Sequence, residues 1–533
     1  MPKLANVNTT DLRAAIELGC RTMQHTFNAE DNYHSHFNAV VHPYAELSFS
    51  SALSDCHVPG RHLNALLAAE AAAGVRVDPA AVAHLRNTLY LSFSGPLCLP
   101  LNRLEQSGPV RVFSAHNLRE AMHACYALVR FRGDAETRWL AERFIAEINR
   151  VWSPENGWDL AAFVAHDLIY QPVQGAVNGE ARMIGPLVKY VRATGSPAAL
   201  DLALRLKEVC LERHFWADGA YIKERVVTDH THSITCTHTS LAQLADLLDD
   251  DALLQRVKAF YDNGLWVMRD ELGWTGGAVV QAESDRGEVC NCGDMVETAL
   301  ILGRRGYPEY YADAERMLRA HLLPSQLRDV SWMKVDPDPN APDGRRDAAN
   351  RLRGAWGVPA PYGHWAHDLG LDSIGYYLDI VGSTTGSVVA ALEAAVVTDA
   401  TGHHVNLLFD HDGPTLRLTN LTAPEGLEIL LKQAAPLWLR LPPWATPANV
   451  TLEGLDSASV QWLPGRLFVA HPPVGAPLRV LYDLPDTTLT LSPRVHAHPI
   501  RVRLHGDRVA AMDNWGMPLT FFDSLEPPDT AAV

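Results

Sequence analysis

Residues 130–148 read RFRGDAETRWLAERFIAEI, and this stretch decides the fold. A helix-stop residue, Gly133, is followed by a polar turn and then by an amphipathic run with apolar residues at helical spacing. The same grammar recurs around Gly74 (AAAGVRVDPAAVAHL), Gly195 (RATGSPAALDLALRLKEV), Asp250 (LLDDDALLQRVKAFY) and Gly306 (GRRGYPEYYADAERMLRAHL). Successive junctions lie 59, 62, 55 and 56 residues apart. That period leaves room for two helices with their connections, so each repeat is a helical hairpin. A sixth unit would end in TGSVVAALEAAVV, the helix after Gly386. Six such pairs closing on themselves make an (α/α)6 toroid.

The pattern changes near Val397. Short runs such as HHVNLLF, TLRLTNL, LWLRLPPW, GRLFVAH, LRVLYDL and IRVRLHG follow, many alternating apolar with polar and separated by Pro, Gly, Asp or Asn. Period-2 alternation with regular turn punctuation predicts an antiparallel β-sandwich. The expected organisation is mainly α with a C-terminal β domain: residues 1–397 form the (α/α)6 barrel and residues 398–533 the sandwich.

The 533 residues are too many for one ordinary domain. Hydrophobic residues make up 47% of them and charged residues 20%, which suits a large core. A formal net charge of −17 repels phosphate backbones and anionic lipid, so neither nucleic acid nor membrane is the expected partner. Neutral substrates fit better. No stretch has the ~18 uninterrupted apolar residues of a membrane span, and no secretory signal is visible at the amino terminus. Eight sparse cysteines read as buried thiols, and the expected location is cytoplasmic.

Chemistry concentrates in residues 274–327, WTGGAVVQAESDRGEVCNCGDMVETALILGRRGYPEYYADAERMLRAHLLPSQL. Glu283, Asp285 and Glu288 with Cys290 and Cys292 fall within ten residues, just before an amphipathic helix whose positive end favours ionised forms. The bland alternative is a set of solvated loop acids. No phosphate-binding loop, dinucleotide fingerprint, His-Glu-x-x-His or nucleophile elbow occurs. Histidines cluster at His34, His36 and His42 and at His230, His232 and His238, a spacing that serves hydrogen bonds to backbone or sugar more often than metal. His232 is a candidate sugar contact. Trp274 is another, beside the Gly-Gly loop.

This stretch resembles the β-L-arabinofuranosidases of glycoside hydrolase family 127. The likeness is carried by Thr275-Gly276-Gly277, Glu283, Glu288-Val-Cys290 and Tyr311-Ala-Asp313-Ala-Glu315-Arg316, and extends to residues 180–203, 231–245 and 437–454. The resemblance implies the barrel-plus-sandwich fold and hydrolysis of a glycosidic bond in a small glycan or glycoside. It implies Glu283 as general acid/base and Glu288 and Cys290 as zinc ligands, which Cys292 can join only on a turn, since thiols two residues apart point in different directions on a helix. The family's later Cys-Cys pair, one member of which is the nucleophile, is replaced here by Ser383-Thr384. Hydroxyls bind zinc poorly, so no cofactor is assigned and zinc stays open. What remains is carboxylate acid/base catalysis by Glu283 with Glu288, or with Asp285, with Cys290 nearby, and Ser383 and Thr384 as substrate contacts. Two carboxyl groups ~5–5.5 Å or ~6.5–9.5 Å apart would suffice. A non-catalytic sugar-binding protein and a polysaccharide lyase or epimerase on the same barrel are the alternatives. The partner expected is a carbohydrate substrate, with homo-oligomerisation left open.

Overall fold

The computed structural model describes residues 7–221, 230–279, 284–367, 369–456 and 459–525. Twelve long helices dominate its first 395 residues. They are α1 (Leu12–Met23), α2 (His57–Ala73), α3 (Pro79–Ser92), α4 (Leu118–Arg132), α5 (Ala135–Val151), α6 (Ile184–Thr194), α7 (Pro197–Arg213), α8 (Thr231–Leu248), α9 (Asp251–Asp262), α10 (Val289–Arg304), α11 (Tyr310–Met317) and α12 (Leu378–Ala395). The even-numbered helices pack on one another in sequence, and α12 returns to α2, so six inner helices close a ring. The odd-numbered helices form an outer layer against them. This is the (α/α)6 toroid.

Local chemistry sets the hairpins. Gly74, Gly133 and Gly195 end α2, α4 and α6 in the left-handed region, with φ of 64°, 63° and 70°. Side chains of Asp78, Asp134, Ser196 and Asp250 then accept hydrogen bonds from the first-turn amides of α3, α5, α7 and α9. In the fourth junction the stop residue is Asp249, at φ 55°, and Asp250 is the cap of the next helix. The sixth pair is not a hairpin. Its inner member α12 packs against α1, the first helix of the chain, so the toroid is sealed by joining the two ends of the helical region.

The strand-rich region begins where α12 ends, the earlier strands having only two to four residues each. One sheet has the order β1-β2-β6-β9-β8, from β1 (Val396–Asp399), β2 (Gly402–Val405), β6 (Leu437–Arg440), β9 (Arg466–Val469) and β8 (Val460–Leu463). The other has the order β3-β4-β5-β10-β7, from β3 (His411–Asp412), β4 (Leu416–Thr422), β5 (Glu425–Leu431), β10 (Pro477–Tyr482) and β7 (Val450–Glu453). Alternate residues of both sheets, among them Leu418, Ile429, Leu439, Leu467 and Val480, form one buried core. The pairing is antiparallel except for β2 with β6, which run parallel. Strands β11 (Asp486–Thr490), β12 (Arg501–His505) and β13 (Arg508–Met512) make a separate three-stranded sheet.

Among the described residues, two groups of ionic contacts join strands to barrel. Glu315 on α11 pairs with Arg319 at 2.8 Å and with Arg440 of β6, and accepts the Leu408 amide at 2.8 Å. Arg316 pairs with Asp507 at 3.0 Å. The Tyr311-Ala-Asp313-Ala-Glu315-Arg316 segment is therefore structural glue. The second group centres on His496, between β11 and β12, whose ring nitrogens donate to Asp270 at 2.9 Å and Asp285 at 3.1 Å. All three side chains are buried. Burial opposes protonation of this imidazole, but the bonds to Asp270 and Asp285 prevail and push its pKa up to about 9.

Glycines let the inner helices meet. A Cβ on Gly60 of α2 would lie 1.8 Å from the Glu120 carbonyl oxygen of α4, so that crossing requires a bare backbone. Gly60→Ala should lower stability by ~1–3 kcal/mol through overpacking, seen as a fall of the thermal midpoint. Gly386→Ala, whose Cβ would meet only Asn64 Nδ2 at 3.6 Å, should leave it unchanged or higher. His496 makes a second prediction. A pKa raised in the folded state stabilises fully below the unfolded value of ~6.5, and that stability is lost as pH rises towards 9. The thermal midpoint of the native protein should fall more steeply over this window than that of His496→Gln.

Candidate active site

All six inner helices begin at the same end of the toroid, and the residues around their first turns build its mouth. A cavity of about 320 Å3 lies there, lined by His57 and Arg61 of α2, His116 before α4, His230 and His232 at the start of α8, Glu288 before α10 and Asp379 of α12. Converging helix amino termini place positive partial charge on this space, which favours ionised carboxylates. Glu288 is the N-cap residue of α10 and Asp379 is the second residue of α12.

Beneath the cavity lies a layer of buried charge. One oxygen of Glu120 accepts from Arg61 at 3.1 Å, Arg119 at 3.0 Å and Arg182 at 3.0 Å, and Glu120 is fully buried. Burial disfavours its charge, but the three guanidinium groups and His57 outweigh that and hold its carboxyl well below the usual range. Arg61 also pairs with Asp379 at 3.0 Å, and His57 Nε2 lies 3.3 Å from the same carboxylate. Burial opposes ionisation of Asp379 too, yet Arg61 and His57 lower its pKa to about 2. Asp294 is the exception. Burial, only partly countered by Arg119, raises its carboxyl to about 7 beside His232, whose Nε2 is 3.6 Å away.

Glu288 is set up differently. Its Oε1 lies 3.4 Å from His230 Nε2, and its Oε2 accepts from the Cys290 thiol at 3.4 Å. Ser233 Oγ donates to Asn178 Oδ1 at 2.7 Å, so its oxygen accepts from His230 Nδ1 at 2.8 Å. His230 Nδ1 is thus committed to Ser233, and its Nε2 faces Glu288. Burial would raise the Glu288 carboxyl, but the hydrogen bond and charge of His230 hold it below its ordinary value. Burial and the Glu288 charge push the Cys290 thiol well up, so it keeps its proton. The side chain of Glu288 is about a fifth exposed, at 21%, which leaves it open to the cavity.

The structure brings Glu288, Cys290 and His232 together and places Trp274, Cys292, Ser383 and Thr384 elsewhere. Glu283 lies outside the described residues. Trp274 is fully buried, donates to the Pro359 carbonyl at 2.9 Å and stacks on His496, so it is wall rather than sugar platform. Cys292 contacts the Met317 carbonyl of α11, on the other side of α10 from Glu288, because a two-residue step turns the helix through ~200°. Ser383 and Thr384 sit in the second turn of α12. Ser383 lines a different cavity at the far end of the barrel, and Thr384 is buried. The α12 residue that faces Glu288 across the mouth is Asp379, four residues earlier and so about one turn nearer the opening. Asp379, His57, Arg61 and Glu120 were not distinguished by any motif. The i, i+4 spacing of His57 and Arg61 was the only available hint.

These residues do not fit a cysteine-rich zinc site. Among the described residues Cys290 is the only thiol beside Glu288, and Asp379, at the position opposite, is already engaged by Arg61 and His57. His230, His232 and Glu288 could bring three donor atoms within 4.8 Å of one another. His232, however, lies 3.5 Å from the Arg61 guanidinium, a fixed positive charge that opposes a cation there. Removing the charge of Glu120 tests the layer below. Glu120→Gln would leave three buried arginines short of an anion and should cost ~3–5 kcal/mol, read as a large drop in thermal midpoint.

No protein-family model matches this sequence, and no curated protein matches it either. Solved structures do. A glycoside hydrolase family 127 β-L-arabinofuranosidase from Geobacillus stearothermophilus T6 aligns with a TM-score of 0.53 at 15% identity, over 84% of this chain and 75% of its own. A second family 127 β-arabinofuranosidase gives 0.56 at 14% identity, over 94% and 81%. A further glycoside hydrolase gives 0.54 at 12%, over 95% and 85%. At such identities the likeness is one of fold: this chain has the helical barrel and strand-rich carboxyl-terminal region of the family 127 β-L-arabinofuranosidases.

Proposed function

We propose that the protein is a glycoside hydrolase that cleaves a glycosidic bond of a small glycan or glycoside at the mouth of the barrel. The observation that carries this is the Glu288–His230 pair, a carboxylate 3.4 Å from an imidazole oriented by Ser233, lining one small cavity with a second carboxylate, Asp379. About 320 Å3 is at the lower end of small-ligand pockets and suits a single sugar residue rather than a long polymer.

In this reading Glu288 is the second carboxylate and, with His230, takes a proton from the attacking water. The water oxygen bonds to the anomeric carbon as the bond to the leaving oxygen breaks. Glu283 is the proposed donor of the proton that the leaving oxygen acquires, so that proton count and charge balance. Asp379, held anionic by Arg61 and His57, faces the positive charge that develops on the sugar ring. His232 and Cys290 flank the site, Cys290 as a protonated hydrogen-bond donor to Glu288.

A panel of aryl glycosides, headed by L-arabinofuranosides because of the shared fold, tests the reading. Release of aglycone by the native protein is expected. Glu288→Gln should lower kcat/KM by ~10²–10⁴-fold, the range of a lost general acid or base, with little change in thermal midpoint. No aglycone from any member, or full activity in Glu288→Gln, would overturn it.

A further inference from the structure

The mouth cavity is smaller than another within the barrel. A second space of about 760 Å3 runs up the bore from the opposite end, where the inner helices finish, and Arg61 is common to the walls of both. Each inner helix contributes a polar side chain to it: Asn64 from α2, His123 from α4, Lys189 from α6, Gln243 from α8, Glu297 from α10 and Ser383 from α12. A packed barrel core would be apolar at these positions, because buried polar groups without partners are costly.

Several of these groups lack a protein partner. His123 is 5% exposed and its Nδ1 has none, nor do Nε of Arg119, 8% exposed, and Oε1 of Gln243. Burial and the nearby cations push His123 well below its ordinary pKa, so the ring is neutral and can both donate and accept. Glu297 already accepts from Gln243 at 3.3 Å and Ser387 at 2.7 Å. Lys189 faces the carboxylates of Glu297 and Glu393, and Arg192 and Arg304 share the carboxylate of Asp246 at 2.6 Å, so that these three cations are matched by three carboxylates. Exposed Arg130 stands at the rim. The walls thus offer donors and acceptors around a full circle with local charges opposed, and Tyr126, Phe131 and Tyr311 add aromatic surface.

We infer that this bore is a second ligand site, separate from the mouth, and that it takes a neutral polyhydroxylated molecule of mono- or disaccharide size. A ring of hydroxyls that each donate and accept matches a ring of mixed partners, and the sugar's C–H faces match the aromatic rims. The volume lies within the range of small-molecule sites. The inference does not depend on the hydrolase reading, since it concerns binding at the other end of the barrel.

Saturation-transfer NMR and calorimetric titration of the full chain with L-arabinose, D-galactose and myo-inositol test it, with D-glucuronate and inorganic phosphate as charged probes. Gly386 lines the bore, and a Cβ there would meet only Asn64 Nδ2, at 3.6 Å, so Gly386→Leu should plug the site. At least one neutral polyol should bind the native protein and Glu288→Gln with similar affinity and bind Gly386→Leu at least tenfold more weakly. Thermal unfolding checks that the plugged variant folds, and Ser383→Phe replaces it if it does not. Failure of every neutral polyol to bind, binding only of the charged probes, or binding abolished by Glu288→Gln but not by the plug would overturn the proposal. Aryl-glycoside hydrolysis in Gly386→Leu separates this outcome from failure at the mouth.

Discussion

The barrel is organised around the carboxylate of Glu120. Arg61, Arg119 and Arg182 converge on one of its oxygens, tying α2 and α4 to the turn that enters α6. Arg61 carries the link on to Asp379 of α12, and Arg119 approaches Asp294 of α10 at 3.9 Å. Charges buried at this depth persist only if mutually compensated, because an isolated one costs several kcal/mol to desolvate. The layer therefore fixes the relative placement of the inner helices, and with it the mouth. Gly60 and Gly382 make the arrangement sterically feasible, since a Cβ at either would strike the backbone of Glu120 or Arg61.

The same layer divides the bore. Above it, helix amino termini favour carboxylates, and Glu288 and Asp379 are held anionic by His230 and by Arg61 with His57. Below it, the lining turns to mixed polar groups and then to cations near the helix carboxyl termini, where Arg192 and Arg304 complement the opposite end of the dipoles. One closed ring of helices thus produces two electrostatically distinct chambers. The strand region supports the mouth from outside, with His496 holding Asp270 and Asp285 on either side of the Thr275-Gly276-Gly277 loop.

Much of this was legible in the chain. Helix-stop and capping residues at Gly74, Gly133 and Gly195 act locally, through backbone conformation and first-turn amides, so five hairpins and their period could be read without a structure. Alternation in the carboxyl-terminal strands was visible for the same reason, since facing a core on one side forces period 2. The closure of the sixth pair was not legible, because α1 and α12 are separated by the whole helical region. The parallel pairing of β2 with β6 was hidden likewise, since it joins strands that are not neighbours in sequence.

At the site, the sequence by itself determined that Glu288 and Cys290 stand at a helix start, because a motif two residues apart needs only local geometry. It also determined that Cys292 could not join them on a helix. Tertiary structure alone decided that Asp379, rather than Ser383 and Thr384, faces Glu288, because a one-turn difference in helix depth leaves no trace in composition or pattern. It alone made Trp274 a wall residue, and gathered His57, Arg61, Arg119, Glu120 and Arg182 from three separate segments into one charged layer. Such an assembly is set by Coulomb attraction between groups distant along the chain, which exists only once the ring has closed.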